Sequence, residues 1–199
     1  MSEKLRICLS QIFAGLLVVL ICTSSSLWED RVPLVTTVLF LSGAVLVGIA
    51  SLGRLWCSVY IAGYKTDVLV TQGPYSMSRN PLYFFSLLGA LGVGLTTETL
   101  LIPFVIAIAF IAYYPLVIKS EAAGLLKLHK GEFEAYLKKV PAFFPRLSLL
   151  HEPEEYVVRP IVFKKHMFHA LWFIWFVGII EIIEEFHELG ILPTILKIY

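Results

Sequence analysis

Two apolar runs joined by a very short polar link decide the fold of this chain. Residues 81–118 read PLYFFSLLGALGVGLTTETLLIPFVIAIAFIAYYPLVI. Only Thr96-Thr97-Glu98-Thr99 separates the run 81–95 from the run 100–118. Each run approaches the roughly 20 apolar residues that a helix needs to cross a bilayer core of about 30 Å. The two runs are therefore expected to form an antiparallel hairpin of membrane helices.

The composition of the whole chain agrees with a membrane protein. Its 199 residues are 58% hydrophobic and 16% charged, and the mean hydropathy is +0.81. Soluble globular proteins carry about 25% charged residues, so this composition argues strongly against an ordinary soluble enzyme. The net charge of +1 offers no clustered excess of Lys and Arg for binding nucleic acid. The expected partner is the lipid bilayer.

Five apolar segments predict an all-α, polytopic fold of about five spans. A cytoplasmic interfacial helical segment, residues 119–140, should follow the fourth span and break near Gly131, because apolar and charged residues alternate there. Arg54 and Trp56 indicate that the last turns of the second span reach the interface. We expect two N-terminal helices in 1–62, a central unit in 63–146 and a C-terminal segment with one further span in 147–199. The spans are 5–27, 34–60, 81–95, 100–118 and 167–183.

The basic residues predict which side of the membrane each segment faces. Cytoplasmic loops retain Lys and Arg, and in a five-span arrangement only Arg31 and Lys197 fall on the far side. This places the N-terminus and both long polar segments in the cytoplasm and the C-terminus on the opposite side. The residues on the cytoplasmic side are Lys4, Arg6, Arg54, Lys65, Arg79, Lys119, Lys127, Lys130, Lys138, Lys139, Arg146, Arg159, Lys164 and Lys165.

The polar stretch before the hairpin is the first candidate for chemistry. Residues 69–83 read LVTQGPYSMSRNPLY, in which Gly73-Pro74 indicates a turn. Asn80 is expected to cap the third span and Pro81 to be its first residue, where a missing N–H costs nothing. Arg79 then lies beside a positive helix end that favours anionic groups. Alternatively, Arg79 extends only to a lipid phosphate.

A second candidate is Glu121, which directly follows the fourth run in the stretch KSEAAGLL. A carboxylate there could pair with Arg79, accept an amine or a proton, or cap the helix. No metal site is expected, because Cys8, Cys22 and Cys57 are far apart and the pair His166 and His169 has no further ligand set beside it.

Together these stretches resemble the isoprenylcysteine carboxyl methyltransferase and phospholipid methyltransferase superfamily of integral membrane enzymes. That family carries Leu-Val-x-x-Gly-Pro-Tyr-x-x-x-Arg-His-Pro-x-Tyr, then Glu-Glu-x-x-Leu, then a Tyr-x-x-Tyr-like segment ending in Pro. The matching parts here are residues 69–83, Glu121 with Leu125, and residues 133–145. Asn80 stands in place of the usual His and Ala122 in place of the second Glu, so Asn80 cannot act as a proton shuttle near neutral pH.

The resemblance implies S-adenosylmethionine as methyl donor, bound in a cytoplasmic pocket of the central unit 63–146. Arg79 would orient an anionic acceptor or the carboxylate of the cofactor, and Glu121 would orient its amine or act as a base. Aromatic faces and a carboxylate suit a sulfonium cation. The expected cofactor-binding residues are Leu69, Val70, Gly73, Pro74, Tyr75, Asn80, Pro81, Tyr83, Glu121 and Tyr136.

The acceptor is expected to be lipidic or membrane-soluble, because a site at the end of apolar helices is reached most easily from the bilayer. A prenylcysteine-like carboxylate, a phospholipid amine and a small thiol all fit. Two rival functions remain open: an NADPH-dependent membrane reductase of the sterol-reductase type, and a non-enzymatic membrane scaffold or transporter. The sequence does not determine the oligomeric state.

Overall fold

The computed structural model of the chain describes residues 3–64 and 68–199, with the side chains of residues 3–7, 9, 10 and 30 not described. The basic residues Lys4, Arg6 and Lys65 used above to predict sidedness lie outside the described side chains. The fold is helical, as expected. Its helices are α1 (Glu3–Thr23), α2 (Leu27–Arg31), α3 (Pro33–Ile61), α4 (Pro74–Met77), α5 (Pro81–Leu95), α6 (Leu101–Lys139), α7 (Pro160–Ala170) and α8 (Trp172–Glu188), with a 3-10 turn at Leu147–Leu149.

Each of the five predicted apolar segments is mainly helical, although the helix in the first, 5–27, ends at Thr23 and is followed by a short strand, Ser24–Ser26. Three helical stretches are long and apolar enough to cross a membrane: Pro33–Ile61, Leu101–Lys139 and Pro160–Glu188, the last made of α7 and α8. The apolar helices Gln11–Thr23 and Pro81–Leu95 are shorter. At 1.5 Å per residue, the 15 residues of α5 extend only about 22 Å. The chain is thus an all-α membrane protein.

Close packing of α3 against α5 fixes the start of the hairpin. A side chain on Gly43 of α3 would come within 2.6 Å of the Gly92 carbonyl oxygen, and one on Gly92 of α5 would come within 2.8 Å of the Gly43 carbonyl oxygen. Small residues at such crossings let two membrane helices approach each other closely. The same packing continues toward the start of α5, where a side chain on Gly53 of α3 would collide with the ring of Phe85.

Helix α6 continues well beyond the predicted end of the fourth span. It runs from Leu101 to Lys139, and its backbone departs from helical geometry at Lys130, where φ is 37° and ψ is −116°. The interfacial segment 119–140 is therefore a direct extension of the spanning helix. The expected break near Gly131 is confirmed, one residue earlier.

One short sheet that the sequence did not predict joins the segment after α1 to the last described residues of the chain. Strand β1 (Ser24–Ser26) pairs in parallel with β2 (Leu196–Ile198), and Ser25 lies opposite Lys197. The Leu100 and Leu101 amides also donate to the Tyr199 carbonyl oxygen. These bonds place the C-terminal residues beside the link between α5 and α6.

Candidate active site

A cavity of about 260 Å³ lies where α5 begins, between the ends of α3 and α4 and the middle of α6. Both polar stretches singled out from the sequence contribute to its walls, although they are about 40 residues apart. The lining residues are Ile61, Val68, Leu69, Val70, Tyr75, Arg79, Asn80, Leu82, Tyr83, Ile118, Glu121, Ala122, Gly124, Leu125, Leu128, Phe133 and Tyr136.

The loop that carries these residues turns at Gly73 and continues into α4. Gly73 has a φ of 57°, and a side chain there would collide with the ring of Tyr60. Glycine is required on both counts, since other residues rarely adopt this φ and any Cβ would clash. The Gly73 amide donates to the His151 carbonyl oxygen at 2.8 Å, so the turn is tied to a distant part of the chain.

Residues 140–152, which follow α6 and are called the strap below, hold this loop in place. Ser78 Oγ donates to the Phe143 carbonyl oxygen at 2.8 Å, and the Arg79 amide donates to the Pro141 carbonyl oxygen at 2.9 Å. On the other side of the loop, the His151 amide donates to Ser76 Oγ at 2.9 Å. The loop therefore has a fixed shape that the strap determines.

Asn80 contributes to this attachment and does not cap α5 as predicted. Its side-chain amide donates to the Ala142 carbonyl oxygen of the strap at 2.8 Å, and no side-chain cap bond is formed. The Tyr83 amide, which such a cap would have satisfied, bonds the Asn80 carbonyl oxygen instead. The predicted start of the helix at Pro81 is correct. The capping role is wrong because the strap, which the local sequence pattern does not reveal, competes for the Asn80 side chain.

Glu121 faces the cavity from α6 and is held by a tyrosine of α5. The Tyr83 hydroxyl donates to Glu121 Oε1 at 2.7 Å. Because α6 continues without interruption from Leu101 to beyond Glu121, the carboxylate lies in the middle of a helix, and the capping alternative is excluded. The Tyr83 ring also packs edge to face on Tyr114, with ring centroids 5.0 Å apart, which fixes the hydroxyl that orients Glu121.

Arg79 also lines the cavity, from the loop side. Its Nε is buried and has no hydrogen-bond partner among the described residues. A guanidinium that served only to reach lipid phosphate would be expected to keep all its nitrogens in water. The geometry instead leaves a buried donor beside the cavity, where an anionic group of a ligand could accept from it.

Two further tyrosines, Tyr75 and Tyr136, line the cavity. Tyr136, beyond the kink of α6, donates its hydroxyl to the Tyr75 carbonyl oxygen at 2.6 Å. The Tyr75 hydroxyl is buried and has no partner among the described residues. Burial raises the pKa of Tyr75 well above its ordinary value, with smaller contributions from Cys57, Tyr136 and Glu121, so its phenol remains a neutral donor.

The structure brings most of the predicted site residues to one cavity. Gly73, Pro74 and Pro81 do not line it and instead shape the turn and the helix start. Nine further lining residues were not predicted as site residues: Ile61, Val68, Leu82, Ile118, Ala122, Gly124, Leu125, Leu128 and Phe133. The spacing of residues 118, 121, 122, 125 and 128 on one helical face would have indicated those between 118 and 128 that share this face. The predicted residues that line it are Leu69, Val70, Tyr75, Arg79, Asn80, Tyr83, Glu121 and Tyr136.

These residues fit the group that the resemblance implies. The Glu121 carboxylate suits an ammonium, the unpaired Nε of Arg79 suits a carboxylate, and the aromatic rings suit a sulfonium cation. The remaining walls, which include Leu69, Leu125 and Phe133, are apolar and suit the flat face of a nucleoside.

A second cavity, of about 420 Å³, lies at the opposite end of α5. The acidic C-terminal end of α8 contributes to it through Glu184 and Glu188, together with Glu29 and Glu98. Burial raises the pKa of Glu98, and Glu29 and Glu181 add to the shift. Within residues 3–64 and 68–199, no three side chains of the types that bind metals are grouped to hold an ion.

The helical membrane fold and a cavity with a tyrosine-held carboxylate define a class of integral membrane protein with a candidate ligand site at one end of α5. The chain belongs to the phospholipid methyltransferase family, whose model matches residues 33–130. The match covers α3 through the kink of α6, and it confirms the family resemblance read from the sequence. The strap lies outside it.

Two relatives match most of this chain. It is 39% identical over 164 residues to the cobalt-zinc-cadmium resistance protein CzcN of Cupriavidus metallidurans, which covers 82% of this chain and 76% of that protein. It is 38% identical over 169 residues to the nickel-cobalt-cadmium resistance protein NccN of Alcaligenes xylosoxydans xylosoxydans, covering 85% of this chain and 78% of that protein. No solved structure matches this chain.

Proposed function

We propose that this protein transfers a methyl group from S-adenosylmethionine to a lipidic or membrane-soluble acceptor at the cytoplasmic membrane face. The observation that carries the proposal is the Glu121 carboxylate, oriented by the Tyr83 hydroxyl inside a cavity that Arg79 also lines. Family membership supports methyl transfer as the reaction class. When bound, the cofactor supplies an electrophilic methyl group.

The side chains of this chain then have separable roles. Tyr83 occupies Glu121 Oε1, which leaves Oε2 to accept from the cofactor amine or to take a proton from an amine acceptor. Arg79 donates to a carboxylate and fixes its position. The apolar walls exclude water, and orientation with exclusion of water supplies most of the acceleration in a displacement of this kind.

The cofactor assignment has a direct test in detergent-purified protein. S-adenosylhomocysteine, which binds only a formed site, should raise the thermal midpoint by an amount that grows with its concentration. NADPH should not. An increase with NADPH alone would favour the reductase, and no increase with either would favour a non-enzymatic scaffold or transporter. Transfer of labelled methyl groups into a lipid extract then identifies the acceptor class.

The sidedness of the site is tested separately by cysteine labelling in a cysteine-free background. Thr71 and Leu100 are exposed and lie at opposite ends of α5. A cysteine at Thr71 should react from the cytoplasmic face and one at Leu100 from the other face. Reaction of both from one face would contradict the proposed orientation.

A second candidate role comes from the relatives. CzcN and NccN are named as metal resistance proteins, and identities of 39% and 38% over most of this chain favour a contribution to metal resistance here as well. A strain lacking this protein should then grow less well on cobalt, cadmium or nickel salts than the parent. Rescue by the parent but not by Glu121→Gln would connect resistance to the proposed reaction, whereas equal rescue by both would separate them.

A further inference from the structure

Arg54 places a guanidinium inside the helix bundle, and no carboxylate among the described residues balances its charge. It lies seven residues before the end of α3 at Ile61, about 10 Å into the helix by the 1.5 Å rise per residue. Its Nη1 donates to Ser86 Oγ of α5, and its central carbon lies 5.5 Å from the ring centroid of Phe173 in α8. The side chain therefore points toward α5 and α8.

The charge of Arg54 is incompletely satisfied there. Its Nε is buried and has no hydrogen-bond partner among the described residues. The titratable side chains close enough to act on its charge are Tyr114, Cys57 and Tyr75, none of which is a carboxylate. An arginine remains protonated in proteins, and an unbalanced charge at membrane depth is expensive.

Arg54 is also linked to the cavity already described. Its partner Ser86 lies one turn after Leu82 and Tyr83, which line that cavity, and the Ser86 hydroxyl donates to the Leu82 carbonyl oxygen. Tyr75, which acts on the charge of Arg54, contributes to the cavity wall as well. The cation is thus placed deeper along α5 than Glu121, on the membrane side of the site.

We propose that Arg54 is an anion site for the acceptor, so that the acceptor is an amphiphile whose carboxylate or phosphate binds Arg54 while its apolar part stays among the helices. This rests on the proposed methyl transfer and narrows its acceptor class. An anion at Arg54 would supply the missing negative charge and an acceptor for the buried Nε. Because Arg54 bonds Ser86, three residues further along α5 than the Tyr83 that bonds Glu121, the group to be methylated would be a different part of the acceptor from the anion at Arg54.

The test uses dodecyl phosphate as probe, with dodecanol and inorganic phosphate as matched arms, on protein purified in a neutral detergent. Dodecyl phosphate should raise the thermal midpoint saturably, and dodecanol should not. Arg54→Gln should weaken that binding at least about tenfold, as expected for a hydrogen bond to a charged group. Arg159→Gln, which removes an arginine over the Tyr64 ring outside the membrane helices, is the matched control and should bind as the parent does.

A second variant keeps the inference testable if Arg54→Gln does not fold. Ser86→Asp leaves Arg54 in place and supplies an internal carboxylate at the position of its present partner, so it should abolish dodecyl phosphate binding without loss of the folded protein. If inorganic phosphate raises the thermal midpoint as dodecyl phosphate does, the site binds free anions and the amphiphilic acceptor is wrong. If only dodecyl phosphate raises the midpoint, the site binds a lipid anion, as proposed. Equal binding of dodecanol, or unchanged dodecyl phosphate binding in the Arg54 and Ser86 variants, would overturn the anion site.

The same samples separate this inference from the proposed function. S-adenosylhomocysteine should stabilise the parent and Arg54→Gln alike, because Arg54 does not line the cofactor cavity. Stabilisation by S-adenosylhomocysteine with no effect of Arg54 on probe binding would reject the anion site alone. Absence of that stabilisation in the parent would reject the methyltransferase assignment, while the probe titration would still report on Arg54.

Discussion

The Tyr83 hydroxyl donates a 2.7 Å hydrogen bond to Glu121 Oε1, joining two helices through residues 38 positions apart. This contact fixes both the distance between α5 and α6 at the cavity and the direction of the carboxylate. Tyr83 belongs to the first polar stretch and Glu121 to the second, so the bond connects the two parts of the sequence that suggested a site.

Replacing Tyr83 with phenylalanine should keep the ring packing on Tyr114 and remove only the bond to Glu121. A hydrogen bond to a charged group contributes about 1.5–3 kcal/mol, so methyl transfer should fall about tenfold or more. The control is Tyr113→Phe, which removes a hydroxyl from the residue next to Tyr114 in α6. This variant should retain parental turnover. Parental turnover in Tyr83→Phe would show that Glu121 needs no orientation.

Glu121→Gln should retain size and hydrogen bonding and lose only the negative charge. If the carboxylate makes one transition-state interaction of about 3 kcal/mol, turnover should fall on the order of a hundredfold. Insertion and purification should be unchanged. Near-parental turnover in this variant would contradict a catalytic role and indicate that Glu121 is only structural.

Arg79→Lys tests whether the guanidinium geometry matters beyond its charge. Lysine keeps the charge but cannot form the two parallel bonds of an arginine fork, so activity should fall steeply and S-adenosylhomocysteine should bind more weakly. Arg146→Lys, an exposed arginine of the strap, provides the control. Equal cofactor affinity in parent and Arg79→Lys would favour simple contact with lipid phosphate.

Asn80 is predicted to act as a positioning residue through the strap. Asn80→Ala leaves the Ala142 carbonyl oxygen without its donor, and the loss of one such bond, about 1 kcal/mol, should loosen the loop and raise KM for the cofactor more than it lowers kcat. Asn80→His keeps a ring N–H that can donate, so it should restore the parental KM. A histidine variant as impaired as the alanine variant would argue against the strap contact.

The pH dependence of Glu98 can be separated from the active site because it lies at the other end of α5. The pKa of Glu98 is raised in the folded protein, so deprotonating this carboxylate costs more free energy in the folded than in the unfolded state. The free energy of unfolding therefore falls as the pH rises from the pKa of Glu98 in the unfolded chain through its raised pKa in the folded protein. Glu98→Gln should therefore raise the thermal midpoint at neutral pH and have little effect at acidic pH. The exposed Glu155→Gln should show no such pattern, and a pH-independent gain in Glu98→Gln would contradict the assignment.

The sequence by itself determined the helical membrane fold, because five apolar segments of near-spanning length leave few alternatives in a bilayer. It also predicted Arg79, Glu121 and about half of the residues that line the cavity, since motif residues keep their spacing whatever surrounds them. The family match over residues 33–130 agrees with that reading. The division at residues 62 and 146 stays a prediction, because no comparison tests it.

Only the tertiary structure decided which partners these residues have. Asn80 reads locally as a cap but binds Ala142, and Glu121 reads as a helix end but lies in mid-helix, because the strap and the extension of α6 are long-range features without a local signal. The sequence predicts that Arg54 lies at the membrane interface. In the structure, α3 packs against α5 and α8, and the Arg54 side chain contacts Ser86 and Phe173 of those helices. Sequence periodicity specifies where a helix forms and which face is apolar, whereas side-chain partners depend on which helices the bundle places next to each other.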